Sequence, residues 1–444
     1  MLTRSGRQIH RHQLLCNALR QAPGARIDVA AVDEAGGNFR VGIATWEAHP
    51  QPGRFADMTE LQLRDVVDLL ERRYPPGTAQ DWDAVGLVVG DPQAPVRHVL
   101  FAVDPVEEVV AEAIETGADL IITHHPLMLR GVTSVAADTA KGGLVHQLIR
   151  AGIALYVAHT NADAAAGGVN DALADLLDLQ QVRPIDPAPG KSLDLLITYV
   201  PTDDAEAVRI ALGEAGAGAV GDYTGCAWSV VGTGQFTPGA GANPAIGQVG
   251  SHTHVKEARL EMVLPPARRD AVVSALRRSH PYEEPAFSLV PTTPASEGTG
   301  LGRIGTLPAQ MSLGDLARRV AEVLPATAHG VRIGGDPDRQ VRTVALCGGS
   351  GDSLLGAVQR AGADAYLTAD LRHHPAAEAL AVPGAPGLID VAHWASEWPW
   401  LPVAAQDLHT DAAATGGQLQ ITVSELVTDP WTTRVDAPDQ EAPA

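Results

Sequence analysis

Ala118-Asp119-Leu120-Ile121-Ile122-Thr123-His124-His125-Pro126 reads as a short strand that ends in two imidazoles, with a proline to stop it. Neighbouring strand residues point to opposite faces, so two adjacent histidines are wasteful as core packing. At a strand end, a loop lets both rings converge, and neutral imidazole is the commonest nitrogen ligand for a metal. The flanking pattern says what kind of sheet holds this strand. Residues 99–103 read as a strand and 106–116 as a helix; 141–151 follow as a helix, 153–158 as a strand and 169–177 as a helix. This βαβ rhythm implies a mainly parallel sheet covered by helices.

The same rhythm returns late in the chain. Residues 341–347, 365–368 and 388–391 read as strands, 354–361 and 374–380 as helices, and a last helix begins near Ala395. The stretch between differs: strand 193–200, helix 205–215, a glycine-rich run over 213–250 taken as a long loop, strand 255–264 and helix 268–279. That order suggests a small α+β domain of roughly 100 residues inserted between the halves of an α/β unit. The fold class is therefore α/β: a split body, 58–190 and 293–428, around an insert at 191–292. Residues 1–57 have weak periodicity and a Pro-rich end, and read as a disordered extension or as sequence upstream of a start at Met58. Thr59 is placed to cap a first helix whose apolar side includes Leu61, Val66, Leu69 and Leu70. The tail, 429–444, is polar and reads as flexible.

Composition excludes several classes. Hydrophobic residues make up 45% of 444, ordinary for a soluble protein with room for a sizeable core. The net charge is −21 without a Lys/Arg-rich run, which argues against a general nucleic-acid surface. Cys16, Cys226 and Cys347 are scattered, which fits a reducing cytosol and does not fit a cysteine zinc site. No apolar stretch reaches spanning length and no apolar signal core opens the chain. The expectation is a cytoplasmic protein that does not enter membranes.

Chemistry gathers at strand ends. The strand after the double histidine runs into His159-Thr160-Asn161-Ala162-Asp163, and strand 388–391 runs into His393-Trp394-Ala395-Ser396-Glu397. Parallel α/β sheets open their sites at carboxyl strand ends. His393 and Glu397, four apart at a helix start, share one helical face. His124, His125, Asp163, His393 and Glu397 thus make a set of three imidazoles and two carboxylates suited to zinc, iron or manganese. Five ligands exceed what one tetrahedral zinc needs, and a carboxylate can bridge two ions, Asp163 being the choice for that role. Taken singly, a histidine after a strand is an ordinary loop residue, and His393 with Glu397 a helix-surface pair. His159 and His374 are candidates to relay protons, or equally to orient ligands. Arg130 and Arg372 are candidates to meet phosphate, with plain surface placement as the alternative. His252, His254, His280 and His329 read as surface or loop residues. Cys347-Gly348-Gly349-Ser350-Gly351-Asp352 reads either as an anion-binding turn or as a tight strand–helix turn.

From Met58 to about Thr428 the chain resembles the GTP cyclohydrolase 1 type 2 homolog family of NIF-three-like dimetal proteins. The motifs are Trp82-Asp83-Ala84-Val85-Gly86-Leu87, Thr123-His124-His125-Pro126-Leu127, His159-Thr160-Asn161-Ala162-Asp163 and Gly167-Gly168-Val169-Asn170-Asp171. Gly348-Gly349-Ser350-Gly351, Leu367-Thr368-Ala369-Asp370 and His393-Trp394-Ala395-Ser396-Glu397 follow in the second half. The resemblance implies that the five residues above hold two divalent ions, and that a metal-bridged water attacks a nucleotide or related substrate. It also implies a homohexamer and a PII- or CutA-like insert, marked by Gly216–Tyr223, Gly232-Thr233-Gly234-Gln235-Phe236 and His280-Pro281-Tyr282-Glu283-Glu284-Pro285. Ala84 stands where the family usually has Asn, Ala369 where it has Gly, and the first 57 residues have no counterpart. The rival class is a non-catalytic metal-binding, regulatory or metal-handling protein.

Overall fold

In the strand Leu120–Thr123, Leu120 and Ile122 face one apolar cluster while Ile121 faces another. The neighbouring strand His98–Ala102 divides in the same way, Val99 and Phe101 on one side, Leu100 and Ala102 on the other. A sheet apolar on both faces needs helices on both. Leu63–Arg73 and Trp400–Ala414 cover one face; Glu107–Thr116 and Ala140–Ala151 cover the other. The computed structural model describes residues 60–188, 192–221, 223–292 and 298–435. The extension 1–57, Thr59 and the end of the tail lie outside them. The first helix starts at Leu63 and is capped by Gln62 with Asp65.

The described residues divide into two units, 60–188 with 298–435, and 192–292. The first unit holds two sheets rather than one. One sheet runs Gly86–Val89, Ala154–Val157, Leu120–Thr123, His98–Ala102, Gln420–Val423, parallel throughout except at the first pair. The other runs Arg332–Gly334, Gly387–Val391, Ala365–Ala369, Gln340–Ser350, Gly300–Ser312, Gln180–Pro187. Its three strands from Gly387–Val391 to Gln340–Ser350 are parallel, and its margins are antiparallel. The fold class is the expected mixed α/β, with parallel centres, one antiparallel edge in the first sheet and antiparallel pairs at both margins of the second.

The second unit alternates strand Asp194–Pro201, helix Ala205–Glu214, strands Trp228–Phe236 and Thr253–Leu264, helix Arg269–Ser279 and strand Phe287–Pro291. Sheet order is Trp228–Phe236, Thr253–Leu264, Asp194–Pro201, Phe287–Pro291, all antiparallel, a split βαβ arrangement. The strand Trp228–Phe236 corrects the long-loop reading of the glycine-rich run. Most of its residues are exposed, so it carries no alternation of apolar and polar side chains. Pairing along Thr253–Leu264 makes it a strand.

One buried cation ties the two sequence halves of the first unit together. Arg303, 1% exposed, donates to Asp171 Oδ1 and Oδ2 at 2.7 and 2.9 Å. Its remaining N–H groups reach the carbonyls of Gly300, Gly302 and Ala165. Removing one partner of such a pair leaves an uncompensated buried charge, at a cost of about 3–5 kcal/mol. Arg303→Ala should lower the urea unfolding free energy by about that amount, whereas an exposed control such as Arg64→Ala should change it by less than about 0.5 kcal/mol.

Candidate metal centre

The double histidine leaves its strand as the sequence suggests. His124 N–H donates to Ala102 O and His125 N–H to Val103 O, so the strand pairing continues past Thr123 and holds both backbones in place. The rings do not diverge across the sheet. His124 is fully buried and its Nδ1 donates to Ala158 O at 2.9 Å. His125 Nδ1 donates to Asp104 Oδ1 at 2.6 Å. From the other sheet, the helix His393–Glu397 carries His393, whose Nδ1 donates to Asp370 Oδ2 at 2.6 Å. Each imidazole is thus tied at Nδ1, which fixes its tautomer and leaves Nε2 as the inward atom.

All three Nε2 atoms turn toward Glu397, which is 2% exposed. Glu397 Oε1 lies 3.3 Å from His124 Nε2 and 3.0 Å from His393 Nε2, and Oε2 lies 3.0 Å from His125 Nε2. Asp163, on the short helix Thr160–Ala164, brings Oδ1 to 3.8 Å from His124 Nε2. The five residues proposed from sequence therefore come together, with Glu397 rather than Asp163 at the centre. His124 Nε2, Asp163 Oδ1 and Glu397 Oε2 are buried without a well-formed hydrogen bond. Buried polar atoms without such partners are rare, and three on neighbouring side chains suit bound cations.

The electrostatics follow from the crowding. Burial opposes charge on His125, yet Glu397 and Asp104 lift its imidazole to about 10. Glu397, against burial and with help from Asp370, lifts His393 to about 11. Burial raises the Glu397 carboxyl, but the three imidazoles hold it well below the ordinary range. Burial pushes Asp163 up.

The glycine-rich turn serves this cluster by being small. Gly349 has φ +64°, and a Cβ there would collide with Glu397 Oε1 and approach His393 Nε2 to 3.0 Å. The N–H of Gly348 donates to Asn170 Oδ1 and that of Gly349 to Ser396 Oγ, both at 2.9 Å. These two amides are engaged inside the protein, which removes the anion-binding reading at these positions.

The cleft over the cluster has a volume of about 1320 Å³. His159 lines it, with Nδ1 donating to Asp83 Oδ1 at 2.8 Å and its ring against His124 and His125. His124, His125 and His159 also bring ligand atoms within 4.8 Å of one another. Asp83 also accepts from the Thr160 hydroxyl; these bonds outweigh burial and hold its carboxyl far below the usual range. His374 does not join the site. It is exposed at the start of the helix His373–Leu380, its ring against His373. Arg372 is exposed and paired with Asp352, and Arg130 is exposed. The cations that do line the cleft are Lys141 and Arg332. His329, read as a surface or loop residue, lies in a loop and lines the cleft, bonded to Asp390 at 2.9 Å; His280, just past the end of a helix, is buried in the other unit. Sequence reading missed Asp83, Asp104 and Asp370 as anchors. Asp104 lies outside any motif and Asp370 closes the motif Leu367-Thr368-Ala369-Asp370; both stand just past strand ends, where an acidic residue is too common to stand out.

Comparison with known proteins gives a consistent picture. A family model described as Duf34/NIF3 (NGG1p interacting factor 3) matches residues 61–430. A Mycobacterium tuberculosis protein named GTP cyclohydrolase 1 type 2 homolog is 51% identical over 372 residues, 84% of this chain and 97% of the relative. A Bacillus subtilis protein of the same name is 40% identical over 334 residues, 75% and 88% of the two chains. Among solved structures, a Bacillus cereus protein related to NIF3 matches at TM-score 0.64 and 37% identity, over 85% of this chain and all of that one. A Staphylococcus aureus protein matches at TM-score 0.72 and 29% identity, with the same coverage.

The raised imidazoles set a pH dependence. A group whose folded value lies above its ordinary 6.5 stabilises fully below that pH and loses the contribution as pH climbs to the folded value. Glu397 is ionised throughout that range and adds no slope. The chelator-treated chain should therefore lose stability between pH 6.5 and about 10, read as a falling urea midpoint, and Glu397→Gln should flatten the fall. A midpoint that rises over that range would contradict the arrangement.

Proposed function

The chain belongs to the Duf34/NIF3 family, and we propose that it binds two divalent ions and acts as a metal-dependent hydrolase of the GTP cyclohydrolase 1 type 2 homolog kind. The proposed ligands are His124, His125, Asp163, His393 and Glu397. The observation that carries this reading is the common orientation of the three imidazoles, each anchored at Nδ1 and turned by Nε2 toward one buried carboxylate. Glu397, with an imidazole near each oxygen, would be the carboxylate shared between the two ions, the role that the sequence alone suggests for Asp163. The nitrogen and oxygen set suits zinc, iron or manganese. Ions bound here supply Lewis acidity and a water made acidic enough to attack near neutral pH.

The chain's own residues do the rest. His159 gives its Nδ1 proton to the bond with ionised Asp83, so Nε2 is a base at the cleft wall, able to accept a proton and return it. Lys141 lines the same cleft and favours an anionic substrate; Arg332 lines it too, paired with Asp390. Trp82 and Trp431, 60% and 69% exposed, line it with aromatic faces on which a nucleobase can stack. A nucleotide or phosphoester fits those three features. We place the protein in the cytoplasm, a setting supported by Cys226 and Cys347 as free thiols and by the lack of a membrane-length apolar helix among the described residues. Assembly as a homohexamer is part of the same proposal and rests on the family resemblance.

Anaerobic purification, metal analysis and a panel of nucleotides and phosphoesters test the reading. The intact chain should hold about two divalent ions and Asp163→Ala or Glu397→Ala should lose at least one. Metal at or below one ion per chain at saturation would sink the two-ion claim. His159→Gln should keep both ions while kcat falls by about 10²–10⁴. If the loaded protein turns over no member of the panel while Asp163→Ala still loses metal, the hydrolase reading fails and a non-catalytic metal-binding role replaces it.

A further inference from the structure

The second unit contains a cavity of about 630 Å³ that the metal chemistry does not use. Two motifs singled out in the sequence line it, Gly232–Phe236 and residues from His280-Pro281-Tyr282-Glu283-Glu284-Pro285. At its wall stands Glu257, 8% exposed, in the strand Thr253–Leu264. Its Oε1 accepts the Tyr282 hydroxyl at 2.8 Å, and among the described residues no hydrogen bond reaches Oε2 and no cation pairs with it. Arg259, two residues on and lining the same cavity, places Nε 2.8 Å from Glu261.

The surroundings are built to present this carboxylate. His280 donates from Nε2 to Tyr199 O at 3.0 Å and accepts the Tyr282 N–H at Nδ1, also at 3.0 Å, which holds the Tyr282 backbone. Burial and the Glu257 charge keep the Tyr282 hydroxyl protonated and donating. Gly234 faces Glu257 across the strand pair, and a Cβ there would overlap the carboxylate. Val230, Phe236 and Ile246 make one part of the wall apolar and aromatic, with the Phe236 and Tyr282 rings edge to face at 5.7 Å.

Glu257 Oε2, without a hydrogen bond at the cavity wall, offers a negative charge that an entering cation would meet. A bare metal ion does not fit, because no three-ligand cluster forms around Glu257 among the described residues. An anion does not fit, because Glu257, Glu283 and Glu284 all line the cavity. We propose that this cavity binds a small organic ammonium ion, its charged head on the Glu257 carboxylate and its apolar body against Phe236, Val230 and Ile246. The aromatic rings add cation–π attraction to the head group. The volume falls within the range of small-molecule pockets.

Calorimetric titration of the full chain with phenethylammonium chloride, phenyltrimethylammonium chloride and sodium 3-phenylpropionate tests this. At least one ammonium probe should bind once per chain with Kd on the order of 1 mM or tighter, and 3-phenylpropionate should not bind. Glu257→Gln should weaken binding at least about tenfold, and Gly234→Ala should do the same by displacing the carboxylate. Tyr282→Phe, which keeps the ring, provides a milder variant should the other two unfold by circular dichroism. Asp163→Ala should bind the probe as the parent does, which separates this site from the proposed metal site. Equal binding of 3-phenylpropionate, undiminished affinity in a folded Glu257→Gln, or no binding of either ammonium probe up to about 10 mM would overturn the proposal.

Discussion

A carboxylate buried as deeply as that of Glu397 cannot stand alone. Taking an ionised carboxylate out of water costs several kcal/mol, and only close positive charge or a cation returns it. Glu397 is met on both oxygens by imidazoles from two sheets, His124 and His125 from one and its own helical neighbour His393 from the other. The i,i+4 spacing of His393 and Glu397 is what one short helix can supply; the other two rings require the second sheet to be in register with it. The cluster therefore constrains how both sheets of the first unit are placed.

Several features secure that placement. Asn170 links the two sequence halves, donating to Asp163 O at 2.9 Å and accepting from the Gly348 amide at the same distance. The next residue, Asp171, holds the buried guanidinium of Arg303. Ser396, inside the helix that carries His393 and Glu397, accepts the Gly349 amide and donates to His393 O. Gly349 removes the one Cβ that would push Glu397 away. A site whose imidazoles are each held by a second bond is preorganised in those ligands, so little free energy goes to arranging them when a cation arrives.

The strand ends of the first unit were legible because buried parallel strands are short, apolar and bounded by turn residues, and 120–123, 154–157 and 388–391 all have that form. The strand Trp228–Phe236 was not legible, because an exposed edge strand shows no alternation. His374 stands at a helix start and His329 sits in a loop, and nothing local says whether either position turns the ring toward a cleft or toward solvent. His374 rotates outward on its helix, while His329 is held by Asp390 sixty-one residues away. Asp104 and Asp370 were passed over for the same reason: they matter only through imidazoles that the fold carries to them.

The amino-acid order by itself determined the α/β class, the split body with its insert, and the five candidate residues placed past strand ends, because strand periodicity and side-chain chemistry are local. Tertiary structure alone decided that there are two sheets, that Glu397 rather than Asp163 is central, and that the glycine turn makes room instead of binding an anion. It also decided which histidines reach the cleft. Those outcomes depend on distances of 3–4 Å between atoms far apart in the chain, as with His124 and Glu397, which no local pattern encodes.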